Sequence, residues 1–79
     1  MAETKVLDLR GLKCPLPVLK ARKAMKSMTI GEKILLETTD PLAVIDVPAF
    51  CQEMGHNLLE QSQESDHHRF ILEVGEKAG

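Results

Sequence analysis

A chain of 79 residues and 8.8 kDa has room for one small hydrophobic core and none for a second. Hydrophobic residues at 43% and charged residues at 28% predict a soluble globular domain formed by residues 1–79. No stretch approaches the roughly 18 uninterrupted apolar residues of a membrane-spanning helix. The net charge of -2, the absence of Trp and Tyr, and a total of two Phe exclude a general attraction to nucleic acid or anionic lipid and a base-stacking surface.

Lys5 to Leu9 alternates, and Leu7 and Leu9 predict the inward face of a first strand. Cys14-Pro15 marks a helix start that runs to about Met28, with Val18, Ala21, Met25 and Met28 as its core stripe. A turn at Thr29-Ile30-Gly31-Glu32 leads to a second strand, Lys33 to Thr38, with Ile34 and Leu36 inward. Asp40-Pro41 repeats the start signal, Asp40 as N-cap and Pro41 at the first helical position. Pro48 predicts a bend or restart in this second helix, with Asp46 capping its later part and Phe50 and Met54 facing inward. Gly55-His56 ends it, His56 meeting the free carbonyls of the helix end. Asn57 to Gln63 and His67 to Val74 form an antiparallel pair across Glu64-Ser65-Asp66, and Glu76 to Gly79 is a frayed tail. The order βαβαββ predicts an α/β (α+β) two-layer sandwich, two helices packed on one face of a four-stranded mixed sheet. A right-handed first crossover places Cys14 at the mouth of the loop between strand and helix.

Two cysteines are too few for a disulfide framework, and Met1-Ala2-Glu3-Thr4-Lys5 lacks the apolar core of a signal peptide. A cytoplasmic protein with reduced thiols is the expectation. At a helix start, free N–H groups and about half an elementary positive charge favour a thiolate, and Arg10 and Lys13 act in the same sense on Cys14. Pro15 and Pro17 remove two donors, so the expected depression is moderate, and they stiffen the corner that holds the sulfur outward. A moderately acidic thiol combines thiolate fraction with nucleophilicity. The competing reading makes Cys14 a small buried hydrophobe beside a proline-rich turn. Cys51, within the second helix beside Phe50, reads as a buried structural cysteine, and a bond between the two thiols stays open.

No acidic residue lies between Leu9 and Gly31, where Arg10, Lys13, Lys20, Arg22, Lys23 and Lys26 supply six of the ten basic side chains. The rest of the chain carries all twelve acids against four bases, so the first helix forms an electropositive face. Leu16 and Leu19 fall on that face, which reads either as a protein contact or as a solvated helix surface whose leucines tuck against a loop. His56, His67 and His68 have no metal-ligand spacing with Cys51, so no metal is expected. No hydrolytic triad, phosphate-binding glycine loop or catalytic carboxylate pair is present in the sequence.

The run Leu7-Asp8-Leu9-Arg10-Gly11-Leu12-Lys13-Cys14-Pro15-Leu16-Pro17 resembles the signature of the TusA/SirA family of small sulfur-transfer proteins, a Cys-Pro-x-Pro element opening the first helix. The resemblance continues through Asp40-Pro41, Asp46-Val47-Pro48-Ala49-Phe50-Cys51 and Gly55-His56, so it covers essentially the whole chain. It implies a βαβαββ sandwich similar to the C-terminal domain of a bacterial translation initiation factor. It implies a sulfurtransferase or stoichiometric sulfur carrier in which Cys14 takes sulfane sulfur as a persulfide, with Arg10, Gly11, Lys13, Pro15 and Pro17 supporting it in the motif. The donor would be a protein such as a cysteine desulfurase or rhodanese, the acceptor the cysteine of another protein, in tRNA thiolation or other sulfur metabolism, with no cofactor. Charge segregation adds the expectation that Leu16, Leu19, Lys20, Arg22, Lys23 and Lys26 meet partners that are acidic at the contact. A docking or regulatory module using the same helix, and an RNA-binding domain, are the alternatives; stable binding of nucleic acid or membrane is not expected.

Overall fold

The alternating apolar pattern of the strands and the spacing of the helical stripes meet around one core in the computed structural model, which describes residues 4–75. The elements are β1 (Lys5–Leu9), α1 (Leu16–Met25), β2 (Lys33–Thr38), α2 (Ala43–Met54), β3 (Asn57–Gln63) and β4 (His68–Glu73). The tail expected at Glu76–Gly79 and the first residues, Met1–Glu3, lie outside the described residues. The strands form one mixed sheet in the order β1-β2-β4-β3, with β1 and β2 parallel and the other two pairs antiparallel. The hairpin strand β4 is thus inserted between β2 and β3. Among the described residues no helix is long and apolar enough to cross a membrane.

Period-2 burial decides which face of the sheet the helices cover. Leu9, Ile34, Leu36, Phe70 and Leu72 are almost wholly buried, and Ala21 and Met25 of α1 and Ala43, Val47, Phe50 and Cys51 of α2 close over them. The core stripe of α1 differs from the predicted one: Pro17, Ala21 and Met25 are buried, whereas Val18, Ala24 and Met28 are half-buried at its margin. The helix also stops at Met25 rather than Met28. The Ser27 hydroxyl donates to the Ala24 carbonyl (3.1 Å) and the Met28 N–H turns back to Met25 (3.1 Å), so local bonds replace the next helical turn.

Two expectations about α2 are corrected. Its first regular residue is Ala43, preceded by a turn in which Asp40 accepts the Leu42 N–H on its side chain (3.0 Å) and the Ala43 N–H on its carbonyl (2.9 Å). Asp40 still supplies the acceptor, but two residues earlier than a simple N-cap. Pro48 neither ends nor restarts the helix, which is continuous from Ala43 to Met54. The carbonyl that loses its donor belongs to the exposed Val44, where water can take its place. In β3 a bulge between Leu58 and Glu60 leaves Leu59 unpaired and exposed, and β4 begins at His68, one residue later than predicted.

His56 also differs from its expected role. Gly55 ends α2 in the left-handed conformation (φ 77°), and its carbonyl lies so close to Gly75 that a side chain at 75 would collide with it. The close approach puts the Gly75 N–H against His56 Nδ1 (3.2 Å), so this buried ring accepts a bond instead of donating to the helix end, and it packs 5.4 Å from the Phe50 ring. Burial holds His56 neutral below its ordinary value of 6.5. Protonation therefore favours the unfolded chain. Stability is complete above the ordinary histidine range and falls as pH drops below 6.5 toward the lower folded-state value, with a slope of at most about 1.4 kcal/mol per pH unit for one proton. Urea unfolding between pH 7.5 and 5.5 is expected to show this loss in the native sequence and a flatter profile in His56→Asn, which retains an acceptor but does not titrate.

Candidate functional site

Parallel pairing of β1 with β2 sets Leu9 beside Thr38, so the loops leaving both strands emerge side by side. Gly11 turns the first loop with φ 85°, a value suited to glycine, and donates its N–H to Thr39 Oγ1 (2.8 Å). The Cys14 N–H donates to Asp40 Oδ2, and the Leu16 N–H to the Lys13 carbonyl (2.8 Å). These bonds tie the two loops together and hold Cys14 at an exposed corner. Pro15, not Cys14, takes the N-cap position of α1, and no side chain caps that end.

The thiol itself donates across the helix pair: Cys14 Sγ lies 2.7 Å from Asp46 Oδ2, in the first turn of α2. The sulfur separates two depressions. One, of about 280 Å³, lies between the helices and is lined by Val18, Leu19 and Arg22 of α1 and by Asp46, Ala49, Phe50, Glu53 and Met54 of α2. The other, of about 500 Å³, is bounded by Gly11–Lys13 and Thr39–Leu42.

The expected acidification of Cys14 is overturned. The hydrogen bond to Asp46, loss of solvent, and the negative charges of Asp46 and Asp40 push the thiol above its ordinary value. Both predicted cationic aids have other partners nearby. Arg10 is forked onto Asp8, with contacts of 2.9 and 3.2 Å, and the Lys13 charge helps lower Asp40 after the Leu42 and Cys14 N–H groups have done most of that work. At neutral pH Cys14 is a protonated thiol bonded to a carboxylate. The reading of Cys14 as a buried hydrophobe also fails, because it is exposed.

Of the predicted contact residues, Leu19 and Arg22 line the cleft with Cys14, whereas Leu16, Lys20, Lys23 and Lys26 are exposed on α1 outside its lining. Leu16 and Leu19 are 44% and 51% accessible, so they do not tuck beneath a loop. Leu42, 51% accessible, lines the loop-side depression with Cys14, and Ile45, 64% accessible, is exposed in the first turn of α2. Glu53 and these two residues were missed by sequence reasoning, and Asp46 was read as a cap for the later part of the second helix, a role that the unbroken helix from Ala43 to Met54 does not give it. Asp46 stands 32 positions from Cys14 and carries no motif that announces a thiol partner. Asp40 was recognised, but as a helix cap and not as the acceptor for the Cys14 amide.

Cys51 provides the contrast. It is 3% accessible, and burial pushes its thiol up to about 11. It lines a depression of about 550 Å³ at the other end of α2, with His56, Gly55 and Gly75. Both thiols are free. Among the described residues no group of three or more His, Cys, Asp or Glu side chains is arranged to hold a metal ion. His67 instead bonds Asp66 (2.7 Å) and faces Glu37 (3.4 Å), while His68 Nδ1 meets the Thr38 hydroxyl (3.3 Å). Iodoacetamide at pH 8 is expected to modify Cys14 in the folded protein and Cys51 only along the global unfolding transition, as followed by peptide mass across a urea series.

The chain matches the family model described as sulfurtransferase TusA over residues 5–74. A solved structure of a SirA-like protein from Desulfitobacterium hafniense superposes with a TM-score of 0.78 at 20% identity, covering 92% of this chain and 100% of that one. At that identity the likeness establishes the fold. The family match includes the loop that carries Cys14, both helices and all four strands, so the chain belongs to the TusA family of sulfurtransferases.

Proposed function

We propose that this protein carries sulfane sulfur as a persulfide on Cys14, receiving it from a protein donor and passing it to the cysteine of a protein acceptor. The observation that carries this reading is the exposed Cys14 thiol, whose backbone is bonded to Asp40 at a corner braced through Gly11 and Thr39. A relay needs a sulfur that two successive partners can reach in the same position. In the loading step, Cys14 sulfur bonds the outer sulfur of a donor persulfide, the donor's S–S bond breaks, and the Cys14 proton ends on the departing donor sulfur. The outward step reverses these roles, so no cofactor is required and the carrier is regenerated.

The second part of the proposal concerns recognition. Leu16 and Leu19, beside Lys20, Arg22, Lys23 and Lys26, form an apolar strip with a basic margin, which suits a protein partner acidic around its own reactive cysteine. A cysteine desulfurase or rhodanese fits as donor, an acceptor in tRNA thiolation or another sulfur route fits downstream, and the cytoplasm is the expected compartment.

Intact mass after incubation with a cysteine desulfurase and cysteine tests the sulfur chemistry. Wild type and Cys51→Ser are expected to gain one reductant-labile sulfur atom, and Cys14→Ser none. Equal loss in both variants removes Cys14 from the role, and no gain in the wild type with several donors favours a docking module. Charge reversal at Lys20, Lys23 and Lys26, which lie outside the cleft lining, is expected to slow loading from the protein donor about tenfold or more at low salt while leaving the rate with a small alkylating reagent unchanged. Unaltered loading discards the docking face.

A further inference from the structure

The contact between Cys14 Sγ and Asp46 Oδ2 at 2.7 Å has opposite consequences for the empty and the loaded carrier. A neutral thiol has a proton to share, and the carboxylate accepts it. A persulfide is more acidic than its parent thiol, so after loading the terminal sulfur is an anion with no proton to give. Its attachment point stays where it was, because the Cys14 N–H is held by Asp40 and the loop by Thr39. The added sulfur must then extend past Asp46 under repulsion or swing away from it. Asp40 adds a second negative charge from the turn before α2, and Glu53 a third group on the cleft wall; Arg22 in the cleft and Lys13 in the loop are the neighbouring cations. Neither cation makes an ion pair with Asp46 among the described residues.

We propose that Asp46 sets the direction of sulfur flow: it stabilises Cys14 as a thiol and destabilises the persulfide anion, so that the loaded sulfur is readily surrendered to an acceptor. The proposal rests on the carrier reading and assigns a role within it to a residue that touches the reacting atom. The exchange is balanced without an external oxidant. With a small persulfide G–S–S⁻, Cys14–SH gives Cys14–S–S⁻ and G–SH; one S–S bond breaks, one forms, and the thiol proton moves from Cys14 to the departing sulfur. Only the anion's location changes, from a solvated small molecule to a site faced by carboxylates. The same carboxylate that opposes loading restores the thiol once the sulfur has left, consistent with the raised titration range of Cys14. A carrier with this balance loads less fully, at equilibrium with a given donor, than one without the facing carboxylate, and holds its sulfur briefly.

Two readings of wild type, Asp46→Asn and Asp46→Ala test the idea, with resistance of Cys51 to native alkylation confirming that each variant is folded. The first is the pH profile of Cys14 alkylation by iodoacetamide, which needs no sulfur donor. The second is the loaded fraction, by intact mass, at equilibrium with glutathione persulfide and excess glutathione at pH 7.5. Both variants are expected to move the alkylation midpoint to lower pH and to raise the loaded-to-empty ratio about tenfold or more, the scale of one charge-assisted hydrogen bond. Wild-type loading with an unchanged ratio in both variants overturns the role of Asp46 and leaves the carrier standing, whatever the alkylation profile does. No loading in the wild type or either variant, with a shifted alkylation profile, overturns the carrier reading and this proposal with it. An increase in Asp46→Asn alone, absent in Asp46→Ala, also overturns it, because the new amide donor would then account for the effect.

Discussion

The parallel alignment of β1 on β2 is the constraint on which the site depends. It brings Leu9 and Thr38 into register at the same edge of the sheet, so two loops that are distant in sequence become neighbours. From that juxtaposition follow the Gly11–Thr39 bond, the Cys14–Asp40 bond and the reach of the thiol to Asp46. None is local: they join positions 26 to 32 residues apart. The buried residues Leu9 of β1, Leu36 of β2 and Phe70 of β4 hold the alignment, since a slip of one residue in any of these strands would turn its inward set to the solvent side. Packing thus supplies the rigidity, and the loops supply the chemistry.

The two cysteines show how far environment outweighs residue type. Cys51 is kept protonated by burial in an apolar layer and has no access to a partner. Cys14 is exposed yet also favours its protonated form, for a different reason: a carboxylate accepts its proton and a second one stands nearby. A helix start would ordinarily attract a thiolate. Here Pro15 occupies the cap position, leaving the sulfur one residue outside the helix end, and the direct contact with Asp46 outweighs the helix field. Cys14 is therefore restrained by its surroundings rather than activated by them.

Charge is segregated on a larger scale as well. The basic residues of α1 lie on its exposed side, whereas the sulfur itself is set among acidic groups of the second loop and α2. The exposed side of α1 would attract an acidic surface, while the Cys14 sulfur faces the negative charges of Asp46 and Asp40. Long-range steering and local tuning can thus be separated in space.

Much of this architecture was legible in the sequence because it depends on short-range rules. Alternation marked β1, β2 and β4, Pro15 and Asp40-Pro41 marked the two helix starts to within a few residues, Gly55 marked the end of α2, and the run from Leu7 to Pro17 identified the loop that bears Cys14. The acid-free stretch from Arg10 to Ile30 identified a basic helix whose Leu16 and Leu19 are indeed exposed. What the sequence could not determine were relations between segments: the insertion of β4 between β2 and β3, the bond of Gly75 to His56, the continuity of α2 through Pro48, and above all the meeting of Asp46 with Cys14. Propensity and periodicity act over a few residues, whereas the acidity of a thiol depends on whichever charges come within a few ångströms. The sequence by itself determined the elements and the loop that bears Cys14; only the tertiary structure decided the carboxylate against which that thiol rests, because Coulomb and hydrogen-bond energies depend on distance in space and not on separation along the chain.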